Sequence, residues 1–192
     1  MKKILIGTHN TGKFKEISFL LSKKIKKISP KNLKIGSPRE TGKSFSANAK
    51  LKANYFSKFT NLPVIADDSG LCISSLGNKP GIYSARWSKK YGSFTKAMKF
   101  ILKKMKNKKN RSATFVCSLS FKHTNEKIIT VVGKIKGKIS HKITGTKGFG
   151  YDPIFIPQSK SITFGQMSKI KKIKIDHRYI AFKKIKKKVR IL

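Results

Sequence analysis

Acidic side chains are scarce in this chain. Seven Asp and Glu residues stand against 46 Lys and Arg, giving a formal net charge of +39. A carboxylate is therefore a rare object here, and each one asks for a reason. Cysteine is scarcer still. Cys72 and Cys117 stand alone in apolar runs, which excludes a disulfide framework or a paired-cysteine metal site and leaves two small buried hydrophobes. Long apolar runs are also missing. No stretch approaches the roughly 20 residues of a membrane span. The Ile4–Ile6 run behind Lys2-Lys3 is too short for a signal-peptide core. No membrane partner is expected, and a cytoplasmic location is.

What is present supports a folded chain. Across 192 residues, 38% are hydrophobic and 13 are Phe, enough for a core and too many for compositional disorder. The charge invites a basic nucleic-acid-binding reading. Against it, the lysines run from Lys2 to Lys188 and are not gathered in one arm or one helix. Loose affinity for polyanions follows from the charge, but no specific nucleic-acid partner is expected.

Val64-Ile65-Ala66 runs into Asp67-Asp68-Ser69-Gly70. The apolar run reads as a buried strand, which would put both carboxylates at its carboxyl end, where open α/β sheets place ligands. Adjacent carboxylates without a cation would raise one pKa, so a divalent metal or nearby lysines should accompany them. An Asx-type turn is the plainer alternative.

Ile4 to Gly7 reads as a first strand, followed by Thr8, His9, Asn10, Thr11, Gly12 and Lys13. A helix should follow, with Phe14, Ile17, Leu21, Ile25 and Ile28 on one apolar face. Strand, polar loop and helix start form a phosphate-binding layout. Gly7 to Lys13 also imitates a P-loop, the alternative being a P-loop-like NTPase or phosphotransferase. Phe14 stands where that motif needs Ser or Thr to hold magnesium.

Further along, Leu33-Lys34-Ile35 reads as a short strand. A helix with Phe45, Ala49, Ala53 and Phe56 inward carries Asn48 and Lys52 together on one flank. Leu71-Cys72-Ile73 reads as a further strand and Pro80 to Trp87 as an ordered loop. Phe94 to Met105 should be helical. Phe115 to Phe121 and Val131 to Ile139 alternate as two strands with a hairpin around His123-Thr124-Asn125-Glu126. In Gly148-Phe149-Gly150-Tyr151-Asp152-Pro153 the glycines allow close backbone approach, the aromatics suit a nucleobase, and Asp152 can accept hydrogen bonds. Asp176 suits the N-cap of a last helix, with His177 and Arg178 in its first turn. Six of the seven carboxylates lie in or beside these clusters; Glu126 alone stands apart.

Taken in order, these stretches resemble the inosine/xanthosine triphosphate pyrophosphatase family, the dITP/XTP pyrophosphatases that clear non-standard purines from the nucleotide pool. The matching residues are Thr8–Lys13 with Glu16, Glu40-Thr41-Gly42 with Asn48 and Lys52, Ala66–Leu71, Pro80–Arg86, Gly148–Pro153 and His177-Arg178. The resemblance implies an α/β fold, an elongated mixed sheet with two lobes around a central nucleotide-binding cleft. It implies that residues 1–192 form a single nucleoside triphosphate pyrophosphatase domain, usually a homodimer. It also implies Mg2+-dependent hydrolysis of ITP, dITP or XTP to the monophosphate and pyrophosphate. By position, Thr8, His9, Asn10, Thr11, Gly12, Lys13 and Lys52 would hold the triphosphate. Glu40 and Asp68 would bind the metal, with Asp68 also the general base, and Ser69 would touch substrate. Phe149, Gly150, Tyr151 and Asp152 would stack on and read the base, with Lys172, His177 and Arg178 completing its pocket.

Overall fold

The computed structural model describes residues 2–124 and 126–189. Asn125, in the expected hairpin loop, lies outside the described residues. In chain order the elements are β1 (Lys2–Ile6), α1 (Thr11–Leu20), β2 (Ile25–Ile28), α2 (Phe45–Ser57), β3 (Val64–Ile73), β4 (Lys79–Pro80) and α3 (Ser84–Lys90). Next come α4 (Phe94–Lys104), β5 (Ser112–Lys122), β6 (Ile129–Ile139), β7 (Phe155–Pro157), α5 (Lys169–Ile173) and α6 (His177–Lys186). The seven strands form one sheet in the order β2-β1-β3-β5-β6-β7, with β4 paired to β3. It is mixed: β1 is parallel to β2 and β3, whereas β4 is antiparallel to β3 and β7 to β6. The expected α/β class with a mixed sheet is what the chain adopts.

Two compact units share the chain. One spans Met1–Asp68, Cys117–Gly133 and Arg178–Leu192; the other spans Ser69–Val116 and Lys134–His177. In the first unit the inner strands bury both faces, as parallel strands do. Ile4, Ile6 and Ile65 pack with Ile17 of α1 and with Ala181, Phe182 and Ile185 of α6. Leu5 and Val64 face the other way and pack with Phe56 of α2. The second unit has its own core, in which Leu71 and Ile73 join Met98, Ile101, Phe115, Phe155 and Phe164. No helix among the described residues is long and apolar enough to cross a membrane.

Several local expectations give way. The apolar run does not stop at the carboxylates: β3 continues to Ile73, so Asp67 and Asp68 sit mid-strand and Leu71-Cys72-Ile73 belongs to the same strand. Pairing of Cys72 and Ile73 with β4 holds that second half extended where an Asx turn was possible. Ile25 and Ile28 leave the helix, which ends at Leu20, and form β2 beside β1. Their three-residue spacing places them on opposite faces of a strand, Ile25 in one core cluster and Ile28 against the other. Leu33-Lys34-Ile35 is no strand. Pro30–Leu33 is a single 3-10 turn closed by a Ser29–Asn32 capping box, and Lys34 adopts a left-handed conformation at φ 54°. The expected loop at Pro80–Trp87 contains a 3-10 turn and the start of α3. In β5 the polar alternate positions are buried too: the Ser118 hydroxyl donates to the Val131 carbonyl, and Ser120 bonds Thr130.

Candidate active site

In the first unit, four of the seven carboxylates gather with three cations. The two-residue period of β3 sends Asp67 to the side of α1 and α6, with Ile65, and Asp68 to the side of α2, with Val64. Asp67 is completely buried, 3.2 Å from Lys13 Nζ and 3.5 Å from the Arg178 guanidinium. Arg178, itself buried, also pairs with Glu16. On the other side, Lys52 lies 2.6 Å from Glu40 and 3.7 Å from Asp68 Oδ1. Asn48 Nδ2 donates to Asp68 Oδ2 at 3.0 Å.

The two aspartates titrate in opposite directions. Burial would raise Asp67, but Lys13, Arg178 and Lys52 outweigh it and hold the carboxyl well below the usual range. Burial dominates at Asp68 and pushes its carboxyl up; Lys52 and Lys13 oppose the shift and Glu40 adds to it. Lys52 loses to burial but gains more from Asp67, Asp68 and Glu40, so its ammonium is held above the ordinary lysine value. Neighbouring carboxylates driven apart in this way are how one site supplies both a fixed charge and a proton acceptor.

The phosphate-loop residues surround the start of α1. Asn10 caps the helix, its Oδ1 accepting from the Lys13 N–H at 2.9 Å, and the Asn10 N–H donates to Thr8 Oγ1. His9 and Thr11 are exposed and Gly12 half-buried. Ser69 continues β3 after Asp68, half-buried.

The second unit holds the other cluster. Gly148 and Gly150 have φ of 76° and 67°, conformations that favour glycine. A Cβ at Gly148 would collide with the Asp152 carboxylate. That carboxylate accepts from the Phe149 N–H at 2.8 Å and from Lys172 Nζ at 2.6 Å. The Lys172 ammonium lies 4.9 Å from the Phe149 ring centroid. Tyr151 turns inward: it is buried, its hydroxyl donates to the Ser84 carbonyl, and its ring meets Phe94 edge-on. Burial pushes its phenol far above the usual tyrosine range. The His177 ring stacks on Phe115 at 4.8 Å.

The structure therefore brings Lys13, Glu40, Lys52, Asp68 and Arg178 into one network and Phe149, Asp152 and Lys172 into another. Three residues outside the expected site join the first network: Glu16, Asn48 and Asp67. The scarcity of acids flagged Glu16 and Asp67, and the i, i+4 pairing with Lys52 flagged Asn48.

The profile of the Ham1 family matches residues 4–188, almost the whole chain. The chain belongs to the Ham1 family. Its similar proteins include two named dITP/XTP pyrophosphatase. One, from Dictyoglomus thermophilum, is 42% identical over 190 residues, covering 95% of this chain and 92% of the relative. The other, from Caulobacter vibrioides, is 38% identical over 186 residues, covering 96% of each. The solved structure of the Staphylococcus aureus Ham1 protein superposes with a TM-score of 0.87 at 34% identity, covering 98% of each chain. The resemblance seen in the motifs and the Ham1 fold thus agree. Position 14 argues the same way against a P-loop, because Phe14 packs against the core and brings no hydroxyl to a metal.

The donor set fits magnesium. Among the described residues no three His, Cys, Asp or Glu side chains are grouped so that they could hold a metal ion. Magnesium asks for less, one or two carboxylates completed by substrate phosphates. Glu40 and Asp68 share one cation already, the Lys52 ammonium.

Proposed function

We propose that this Ham1-family chain is a dITP/XTP pyrophosphatase, hydrolysing ITP, dITP and XTP to the monophosphate and pyrophosphate. The observation that carries the reading is the Glu40–Lys52–Asp68 group, beside a helix start with a phosphate-binding layout, in a chain that matches such enzymes along its length.

The helix start at Thr11, the polar side chains Thr8 to Asn10 and Lys13 hold the triphosphate, since N–H groups and an ammonium converge there. Glu40 and Asp68 would hold Mg2+, which supplies charge neutralisation and Lewis acidity at the phosphates. Asp68, anchored by Asn48, takes a proton from the attacking water as the α–β phosphoanhydride opens. Lys52 steadies both carboxylates and then the departing charge, and Ser69 contributes a hydroxyl to the substrate. Phe149 stacks on the base, and the Asp152–Lys172 pair fixes the Gly148–Gly150 backbone around it. Tyr151 acts from the core beneath. His177 and Arg178 donate to the 6-keto oxygen, which adenine replaces with an amino group that cannot accept. Residues 1–192 serve as one pyrophosphatase domain, working as a homodimer in the cytoplasm, as the motif resemblance implies.

Turnover of ITP and XTP by the purified protein with Mg2+, read by phosphorus NMR, tests this. Monophosphate and pyrophosphate are the expected products, formed far faster than from ATP or GTP. Diphosphate and orthophosphate would overturn it.

A further inference from the structure

Asn48 is completely enclosed, and both ends of its amide are engaged. The Gly42 N–H donates to Oδ1 at 2.8 Å, and Nδ2 donates to Asp68 Oδ2 at 3.0 Å. The chemistry fixes this orientation, because an N–H must face the carbonyl and a carboxylate the amino group. One side chain thus ties the segment carrying Glu40 to the strand carrying Asp68. The start of α2 fixes the amide in turn: the Asn48 N–H donates to the Ser44 carbonyl at 3.0 Å, and Ser44 Oγ caps the helix through the Ala47 N–H. The fit at Gly42 is close, since a Cβ there would lie 2.6 Å from Asn48 Oδ1.

We propose that Asn48 is a positioning residue that sets the separation of the Glu40 and Asp68 carboxylates, and through it the affinity of the pair for a divalent cation. The inference rests on reading those carboxylates as the magnesium ligands. Lys52, one turn further along α2, spans the same gap, but its ammonium competes with an incoming metal for both carboxylates. A neutral amide does not compete. It anchors Asp68 through Oδ2 and leaves Oδ1 on the side of Lys52 and Glu40. Hydrogen bonds of this kind, one step outside a metal's ligands, orient them and tune affinity.

Mn2+ binding to the nucleotide-free protein, counted by electron paramagnetic resonance, reads the effect without turnover. Asn48→Ala removes both hydrogen bonds, and Gly42→Ala keeps the amide but displaces it. Each should weaken Mn2+ binding by about 10–100-fold, with the Michaelis constant for ITP at saturating metal unchanged. A purely structural role would lower thermal stability and leave the affinity of the folded fraction alone. Wild-type Mn2+ affinity in either folded variant overturns the proposal. Should neither variant fold, the wild type decides by NMR. There the Asn48 side-chain amide protons should be protected from exchange and shift as Mg2+ is added, and a signal that stays fixed overturns the proposal. Failure of the functional reading looks different, because wild-type protein would then release no pyrophosphate from ITP whatever Asn48 does.

Discussion

Asp67 and Asp68 are chemically identical neighbours on β3, yet the two faces of one strand give them opposite characters. On the α1 and α6 face, Asp67 meets Lys13 and Arg178 within 3.5 Å, and Arg178 is shared with Glu16. On the α2 face, Asp68 meets a neutral amide at 3.0 Å and an ammonium at 3.7 Å that leans toward Glu40. Burial is near total for both, at 0% and 4% exposure, so the partners decide. The cations around Asp67 hold its carboxyl below the usual range, whereas burial outweighs the cations at Asp68 and holds its carboxyl above it.

The largest test of that contrast is turnover. Asp68→Asn should lower ITP hydrolysis by at least about 10²–10⁴-fold, the usual share of a general base. Ground-state ITP binding should persist, because Thr8–Lys13 and Phe149–Asp152 remain. Asp67→Asn should be the milder lesion in steady-state kinetics. Dead Asp67→Asn beside active Asp68→Asn would reverse the assignment.

Stability should rank the pair the other way. Asp67→Asn strips a buried anion from two cations, a change that costs about 3–5 kcal/mol. Because the Asp67 pKa is depressed in the fold, its contribution is complete above about pH 5, the unfolded carboxyl titrating near ~3.9. It is lost as the pH falls through that range. Urea denaturation at pH 7 and pH 3 should therefore show the gap between wild type and variant narrowing on acidification. A constant gap would mean the pairing contributes little.

The second unit offers the same contrast in aromatic form. Phe149→Ala should weaken ITP binding by about 1–3 kcal/mol, the scale of one stacked base. An unchanged Michaelis constant would return the ring to a plain turn. Tyr151→Phe should be the smallest effect. It loses the bond to Ser84, about 0.5–1.5 kcal/mol of stability, and leaves the Michaelis constant for ITP unmoved. A shift in that constant would bring Tyr151 to the base.

Much of this was legible in the residues. The strand at Val64, the helices at Phe45 and Phe94, the long alternating strands and the turn before β7 follow from periodicity and turn chemistry. So does the gathering of rare acids. Local pattern misled where two structures share one spacing, as at Ile25 and Ile28, or where long-range pairing extended a strand past a turn signal, as at Ser69-Gly70.

By itself, the sequence determined the family, through ordered motifs, and the chemistry on offer: paired aspartates, a helix start with a lysine, an aromatic flanked by glycines. It also showed that Asp67 and Asp68 must face opposite ways, since side chains alternate along any strand. Which of the two meets Lys13 and Arg178, and which meets Asn48 and Lys52, was decided only by the tertiary structure. Partners more than a hundred residues away in the chain, such as Arg178 for Asp67, set local charge and burial. No local spacing encodes that.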